Sequence, residues 1–275
     1  MEQILYHYTD FVALDGILCR KELRLNNVLN MNDAEEMQLF MRGIFKSVRR
    51  RLEAEGRHEK ALKLQAMYDE LKQKRFEYSA YAACFSLYRD DAAQWERYAN
   101  RGRGVCLGMR REVLERMTGG AMAIQEVFYQ DQMESHPLVE KIHDLVLASD
   151  EISERNQSLR AQVREAWRDS ASFKHPSFSS EREIRLVVMP FHAEDFDMKP
   201  RYHVAKERIK KYYPLDLEAM CLRAQATIED LVSCIIIGPQ SSQSLPILQD
   251  YLRDLSLCDL ANNVFLSDCP LQSRI

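Results

Sequence analysis

Ser180-Glu181-Arg182-Glu183-Ile184-Arg185-Leu186-Val187-Val188 is the stretch that decides the fold. Its apolar and β-branched second half predicts a strand over 182–190. Polar residues alternate with apolar ones in the first half, and such strands normally turn their polar side chains to water. On that interpretation Glu181, Glu183 and Arg185 form an exposed ion network. If the strand is buried, they point instead to a functional site.

A second string of the same character, Leu5-Tyr6-His7-Tyr8-Thr9, lies near the beginning of the sequence. It predicts a first strand with one histidine inside an apolar frame. A helix is expected from about Asp10 to Cys19, because Asp10 can cap it and apolar residues then recur at helical spacing.

Composition predicts a globular protein with a substantial core. The sequence has 275 residues, of which 46% are hydrophobic, enough for one large domain. It has no run of 18 apolar residues, and its first residues lack the basic-then-apolar order of a signal peptide. We therefore expect no membrane partner and a cytoplasmic location, or delivery into the cytoplasm of a target cell.

The seven cysteines are scattered singly, without a CxxC pair. No Cys/His cluster has the spacing of a zinc site. We expect no metal, and most of these cysteines should behave as small buried apolar residues.

The net charge of -4 conceals an uneven distribution. Residues 36–75 carry 11 Lys and Arg against 6 Asp and Glu, whereas residues 215–275 carry 3 against 8. A basic helical segment can face a nucleic acid, a membrane surface or an acidic partner, although most such runs are solvated helix faces.

The order of elements predicts a single α+β domain over residues 1–275. Long helical insertions are expected at about 33–76, broken near Gly56, and at 137–171. Strands are expected at 78–87, 105–109 and 231–238, and residues 201–206 are expected to pair with the strand at 182–190. No linker or repeat divides the chain.

Several short motifs, taken in order, resemble a bacterial family known as domain of unknown function 2971, whose members look like relatives of the ADP-ribosyltransferase fold. The motifs are Tyr6 to Thr9, Leu25 to Glu36 with Asn32-Asp33 at its centre, Cys84-Phe85-Ser86, Trp95 with Tyr98, Gly104 to Gly108, and Glu181 to Arg185. The resemblance implies a split, mixed or antiparallel sheet core carrying the two helical insertions.

The resemblance also implies a site for NAD. His7 matches a first-strand histidine that would bind the adenosine-side ribose, although Lys21-Glu22 replaces the glycine expected after it. Ser86 would fill the middle position and brace Glu183, with Tyr81 and Tyr88 as competitors. Glu183 would stabilise the oxocarbenium cation that forms when nicotinamide leaves, because a carboxylate nearby lowers the energy of that charge.

The remaining implied contacts surround this core. Glu181, expected on the same strand face as Glu183, would orient or deprotonate the acceptor. Lys174 or Arg185 would meet the pyrophosphate. The full set of expected cofactor contacts is His7, Tyr8, Thr9, Asn32, Ser86, Tyr88, Trp95, Tyr98, Lys174 and Arg185.

Each residue also has an ordinary structural interpretation. Ser86 can be a core hydroxyl bonded to backbone, Trp95 and Tyr98 can be core aromatics, and Asp33 can simply cap a helix.

The expected activity is transfer of ADP-ribose from NAD to a protein or nucleic acid, in a toxin, effector or phage-defence protein that an antitoxin or regulator can bind. The alternatives are an RNA-processing phosphotransferase or nuclease-like enzyme on the same fold, and a non-catalytic nucleotide- or partner-binding module.

Overall fold

The structure is a computed structural model that describes residues 3–31, 36–74, 77–130, 133–153, 155–192, 196–204 and 208–271. Its strands are β1 Ile4–Thr9, β2 Glu22–Asn27, β3 Tyr81–Ser86, β4 Val105–Arg110, β5 Met122–Glu126, β6 Phe128–Tyr129, β7 Phe173–Lys174, β8 Glu183–Val188, β9 Arg201–Val204, β10 Ile209–Asp216, β11 Val232–Ile237 and β12 Val264–Leu266. Its helices are α1 Phe11–Leu18, α2 Glu36–Ala54, α3 His58–Gln73, α4 Ala92–Tyr98, α5 Arg111–Met117, α6 Pro137–Ala148, α7 Gln157–Ser170, α8 Leu217–Arg223, α9 Ile228–Leu231, α10 Leu245–Asp254 and α11 Cys258–Ala261.

The main sheet runs β12-β11-β4-β1-β3-β2-β10-β9, with β8 and β5 branching from β3. Its neighbours are antiparallel except for the parallel pair of β11 and β12. The predicted α+β class with a mixed sheet is confirmed.

Strand β3 lies at a split in this sheet. One of its edges pairs with β8 along its whole length, from Tyr81↔Val188 to Ser86↔Glu183. Its other edge pairs with β1 only at Tyr6↔Ser86 and with β2 only at Ala82 and Tyr81. Among the described strands none pairs with this edge between those two contacts, so a gap opens between β1 and β2.

Two hydrophobic cores cover opposite faces of the sheet, which explains why β8 is buried at every residue. Ile184, Leu186 and Val188 enter the core beneath α1, α5, α8, α10 and α11. Val187 enters the core of α2, α3, α6 and α7. Because side chains alternate along a strand, Glu183 and Arg185 share the face of Val187 and cannot form an exposed ion network.

Each of the two predicted helical insertions contains two separate helices. Helices α2 and α3 are separated at Gly56, which has a left-handed φ of 74° that suits glycine. The stretch predicted at 137–171 contains α6 and α7, and the described residues between them are not helical. None of the helices in the described ranges is long and apolar enough to cross a lipid bilayer.

The expected pairing of residues 201–206 with β8 was wrong for residues 201–204, and residues 205 and 206 lie outside the described residues. Strand β9 pairs with β10, with Lys210 opposite His203 and Tyr212 opposite Arg201. The edges of β8 are already occupied by β3 and β5. Strand β9 therefore pairs with the strand that follows it in the chain, and it lies at the far edge of the sheet.

Candidate functional site

A cleft of about 590 Å³ opens at the split in the sheet. Three of the residues expected to act together line it from three different strands: His7 from β1, Ser86 from β3 and Glu183 from β8. Further lining comes from α1, α4, β2 and the β9–β10 hairpin.

His7 spans the gap beside β3. Its Nδ1 lies 2.8 Å from the carbonyl oxygen of Cys84, in the part of β3 that pairs with neither β1 nor β2. Since a carbonyl only accepts, Nδ1 carries the proton, and Nε2 of the neutral ring is left as an acceptor. Burial lowers the pKa of His7, against the opposing effect of its hydrogen bond to Cys84.

Glu183 is an ionised carboxylate that is almost fully enclosed. Arg185 Nε lies 2.8 Å from its Oε1, and Lys174 Nζ lies 2.9 Å from its Oε2. Its backbone N–H donates to the hydroxyl of Tyr129. Burial alone would raise the pKa of Glu183, but the charges of Arg185 and Lys174 outweigh it and hold that pKa at about 2.

The Glu181 carboxylate lies in the same cleft as Glu183, although Glu181 is not part of β8. It ends a 3₁₀ helix, Pro176–Glu181, and Arg182 then takes a left-handed φ of 44° before β8 begins. The expectation that Glu181 shares a strand face with Glu183 was therefore wrong. Its carboxylate nevertheless accepts hydrogen bonds from Lys174 Nζ at 2.7 Å and from Arg97 and Tyr98 at 2.8 Å each.

We call Arg97, Lys174, Glu181, Glu183 and Arg185 the ionic cluster. Three cations face two carboxylates in it, and all members except Arg97 are buried. Each carboxylate is held by at least two donors, which is what a buried charge requires.

The pyrophosphate contacts expected of Lys174 and Arg185 do not fit this arrangement. Lys174 is 3% exposed and bridges the two carboxylates. Arg185 is fully buried, does not line the cleft, and donates to Glu183 and to the carbonyl of Ala171. Each of these side chains is already bound to a carboxylate, so a phosphate would have to displace an existing ion pair to reach it.

Ser86 lines the cleft, as expected of the middle position, but it does not brace the Glu183 carboxylate. Its hydroxyl donates to the backbone carbonyl of Glu181 at 3.0 Å and accepts from the N–H of Tyr88. The competitors lie elsewhere: Tyr81 packs edge-to-face on Tyr213 in the core, and Tyr88 is 46% exposed outside the cleft lining.

Trp95 is a core residue and not a platform for nicotinamide. It is fully buried, packs edge-to-face on Tyr8 at 4.9 Å between ring centroids, and donates its Nε1–H to Asp90. The Tyr8 hydroxyl is also engaged, between the carbonyl of Tyr88 and the N–H of Asp91. The cofactor contact expected of Trp95 is therefore wrong, whereas Tyr8 lines the cleft with its hydroxyl already engaged.

The other expected contacts differ in outcome. Thr9 and Tyr98 line the cleft, and the hydroxyl of Tyr98 reaches Glu181. Asn32 lies outside the described residues, as does Asp33.

Sequence reasoning missed the basic side of the cleft. Its lining includes Arg20 and Arg24 near β2, and His203, Lys210 and Lys211 on the β9–β10 hairpin. The signal was present in Arg208-Ile209-Lys210-Lys211-Tyr212-Tyr213, a basic and aromatic string. Only the pairing of β10 with β2 brings this string to the cleft, and that long-range contact is not readable from local pattern. Arg97 and Gln94 were also missed, and both bind Glu181.

Chemically, the cleft combines a neutral imidazole, an enclosed ionised carboxylate and several cations. The described residues contain no group of three or more His, Cys, Asp or Glu side chains able to hold a metal ion. The volume lies within the usual range for small-molecule sites, ~300 to 1,000 Å³. Such a lining suits a ligand with anionic groups at one place and polar hydroxyls at another.

Residues 94–186 match the model of a family described as a protein of unknown function (DUF2971). The match covers about a third of the chain. Comparison with curated proteins returned no match, and neither did comparison with solved structures.

The DUF2971 match supports the resemblance to that family seen in the sequence. It contains the whole ionic cluster together with Gln94 and Tyr98, whereas His7 and Ser86 precede it. The likeness to ADP-ribosyltransferases continues to rest on the sequence motifs.

Proposed function

We propose that the protein transfers ADP-ribose from NAD to a macromolecular acceptor. The observation that supports this most is the meeting of His7, Ser86 and Glu183, from three separate strands, in the lining of one cleft. The family resemblance implies this grouping, and the three residues are far apart in the sequence.

In this proposal, His7 binds a ribose hydroxyl through Nε2, because Nδ1 is engaged by Cys84. Glu183 supplies the negative charge that stabilises the oxocarbenium ion. A pKa of about 2 keeps this carboxylate ionised at neutral pH. Arg20 and Lys211 replace Lys174 and Arg185 as donors to the pyrophosphate, since they line the cleft outside the ionic cluster.

A non-catalytic nucleotide-binding module is the second candidate, and one observation favours it. Lys174 and Arg185 already neutralise Glu183, so the field that this carboxylate exerts on a developing cation is reduced. An ionic cluster of this kind can serve mainly to hold β8 and the 3₁₀ helix together.

Three measurements on one sample separate the candidates: calorimetric titration with NAD, nicotinamide release, and transfer of labelled ADP-ribose to protein and RNA pools. Binding with release and transfer supports the first proposal. Binding without release supports the second, and no binding of NAD overturns the transferase proposal. Cleavage of RNA without consumption of NAD would favour the RNA-processing alternative.

Variants connect the activity to the site. Glu183→Gln should lower nicotinamide release at least about 100-fold, the scale on which loss of a charge-stabilising group acts, while NAD still binds. Because this variant also loses stability, it is assayed well below its own melting temperature. Glu70→Gln, which removes a surface carboxylate paired with Lys74, is the matched control and should retain full activity.

A further inference from the structure

We propose that the open face of β2, β10 and β9 binds single-stranded nucleic acid and leads it into the cleft. We call this surface the basic face; it consists of Arg24, Asn26, Arg201, His203, Lys210 and Tyr212. The proposal concerns binding and holds whether or not the cleft transfers ADP-ribose.

Strand register puts these residues on one side of the sheet. Tyr212 is opposite Asn26 on β2 and opposite Arg201 on β9, and Lys210 is opposite His203. Because residues two apart share a face, Arg24 joins Asn26 and Lys210 joins Tyr212. The alternate residues of β2 and β10, including Leu25 and Tyr213, enter the core on the other side.

The basic face has an excess of positive charge and is partly exposed: Arg24 and Lys210 are half-buried, and the Tyr212 ring is 6% exposed beneath the Arg24 guanidinium. Asn26 and every residue of β9 are exposed, and the side chain of Arg201 is 63% exposed. Arg24 and Arg201 share the single carboxylate of Glu22. No carboxylate in the described part of the chain forms an ion pair with His203 or Lys210.

The basic helical segment at 36–75 differs in this respect. Part of its positive charge is neutralised within the fold, through the ion pairs Arg49–Glu53, Lys63–Glu59 and Lys74–Glu70. Lys60 is also engaged, because its Nζ donates to three backbone carbonyls at the end of α6. A sequence count of charge therefore pointed to the helices, whereas the structure leaves available cations on the β9–β10 hairpin.

Two features favour a single nucleic-acid strand over an acidic protein or a duplex. The Arg24 guanidinium lies 5.0 Å from the centroid of the Tyr212 ring, which fixes a planar cation on which a base can stack. Three strands span roughly 10 Å, the width of a groove for one chain. Arg24, His203 and Lys210 also line the cleft, so the basic face is continuous with it.

Fluorescence anisotropy with labelled oligouridine and oligothymidine tests the proposal. The wild type should bind both, with an affinity that falls steeply between about 50 and 200 mM salt. Arg201→Gln/Lys210→Gln should weaken binding about tenfold and lower the slope of log affinity against log salt by about 2, one per lost phosphate contact. Both side chains project from an edge hairpin, and an unchanged melting temperature shows that the double variant is folded.

Lys46→Gln/Lys72→Gln is the matched control, because it removes the same charge from exposed positions on α2 and α3. It should change the affinity less than about twofold, the effect of net charge alone. An equal loss in the control overturns the proposal. So does the absence of binding at low salt, preferential binding of a duplex, or equally tight binding of a polyglutamate of the same charge.

Discussion

Lys174 Nζ lies 2.9 Å from Oε2 of Glu183, and this contact holds a carboxylate that is 7% exposed. The same Nζ lies 2.7 Å from Oε2 of Glu181. One buried lysine therefore joins the end of the 3₁₀ helix to the first residue of β8. The stability of this region and the charge of the cleft depend on the same atoms.

Replacing Glu183 with Gln should reduce the free energy of unfolding by about 3 to 5 kcal/mol, because it leaves Lys174 and Arg185 buried without their shared counter-charge. Urea denaturation followed by circular dichroism measures the change. Glu70→Gln, at a surface ion pair, should cost less than about 1 kcal/mol. A loss for Glu183→Gln no larger than that of the control would contradict a structural role for the cluster.

Acid should destabilise the protein through Glu183. Its pKa is lowered from 4.5 in the unfolded chain to about 2 in the fold. The contribution to stability is therefore complete above about pH 4.5 and is lost as the pH falls from there toward 2. The difference corresponds to about 3 kcal/mol. Denaturation curves at several pH values should show a weaker acid dependence for Glu183→Gln, and parallel curves for both proteins would be inconsistent with the lowered pKa.

Local pattern was sufficient for much of the fold, whereas the grouping of His7, Ser86 and Glu183 came from the family resemblance. Apolar periodicity predicted β8, and Gly56 marked the break between α2 and α3. Local sequence pattern gave wrong predictions where the position of a residue depends on contacts between segments that are distant in the sequence. Glu181 reaches Glu183 through a left-handed residue, Arg182, and not along a strand.

The same limit explains the wrong assignments of Lys174, Arg185 and Trp95. All three residue types suit a nucleotide site, and each is also a common partner of buried groups. Only burial distinguishes the two uses, and burial depends on how α7, β7 and α4 pack on the sheet. The basic β9–β10 hairpin was missed for a related reason. It is far in sequence from the other residues that line the cleft, and only the pairing of β10 with β2 brings it there.

Trp95→Phe should destabilise the protein by about 1 to 3 kcal/mol and leave nucleotide affinity unchanged. The variant keeps the aromatic packing against Tyr8 but leaves Asp90 without the Nε1–H donor at 2.6 Å. Thermal unfolding and calorimetric titration with NAD measure the two quantities. Normal stability together with a strongly reduced affinity for NAD would mean that Trp95 contributes to the binding site.

His7 should titrate below its ordinary pKa and carry its proton on Nδ1 at neutral pH. Burial disfavours the charged ring, and the hydrogen bond to the Cys84 carbonyl only partly offsets this. A folded-state pKa below the unfolded value of about 6.5 stabilises the fold above that pH, and the contribution is lost as the pH falls below it. Long-range ¹H–¹⁵N spectra of the imidazole ring give both the tautomer and the pKa, with His7→Gln to assign the signal. Protonation of Nε2 in the neutral ring, or a pKa above 6.5, would mean that Nε2 is not the acceptor offered to a ligand.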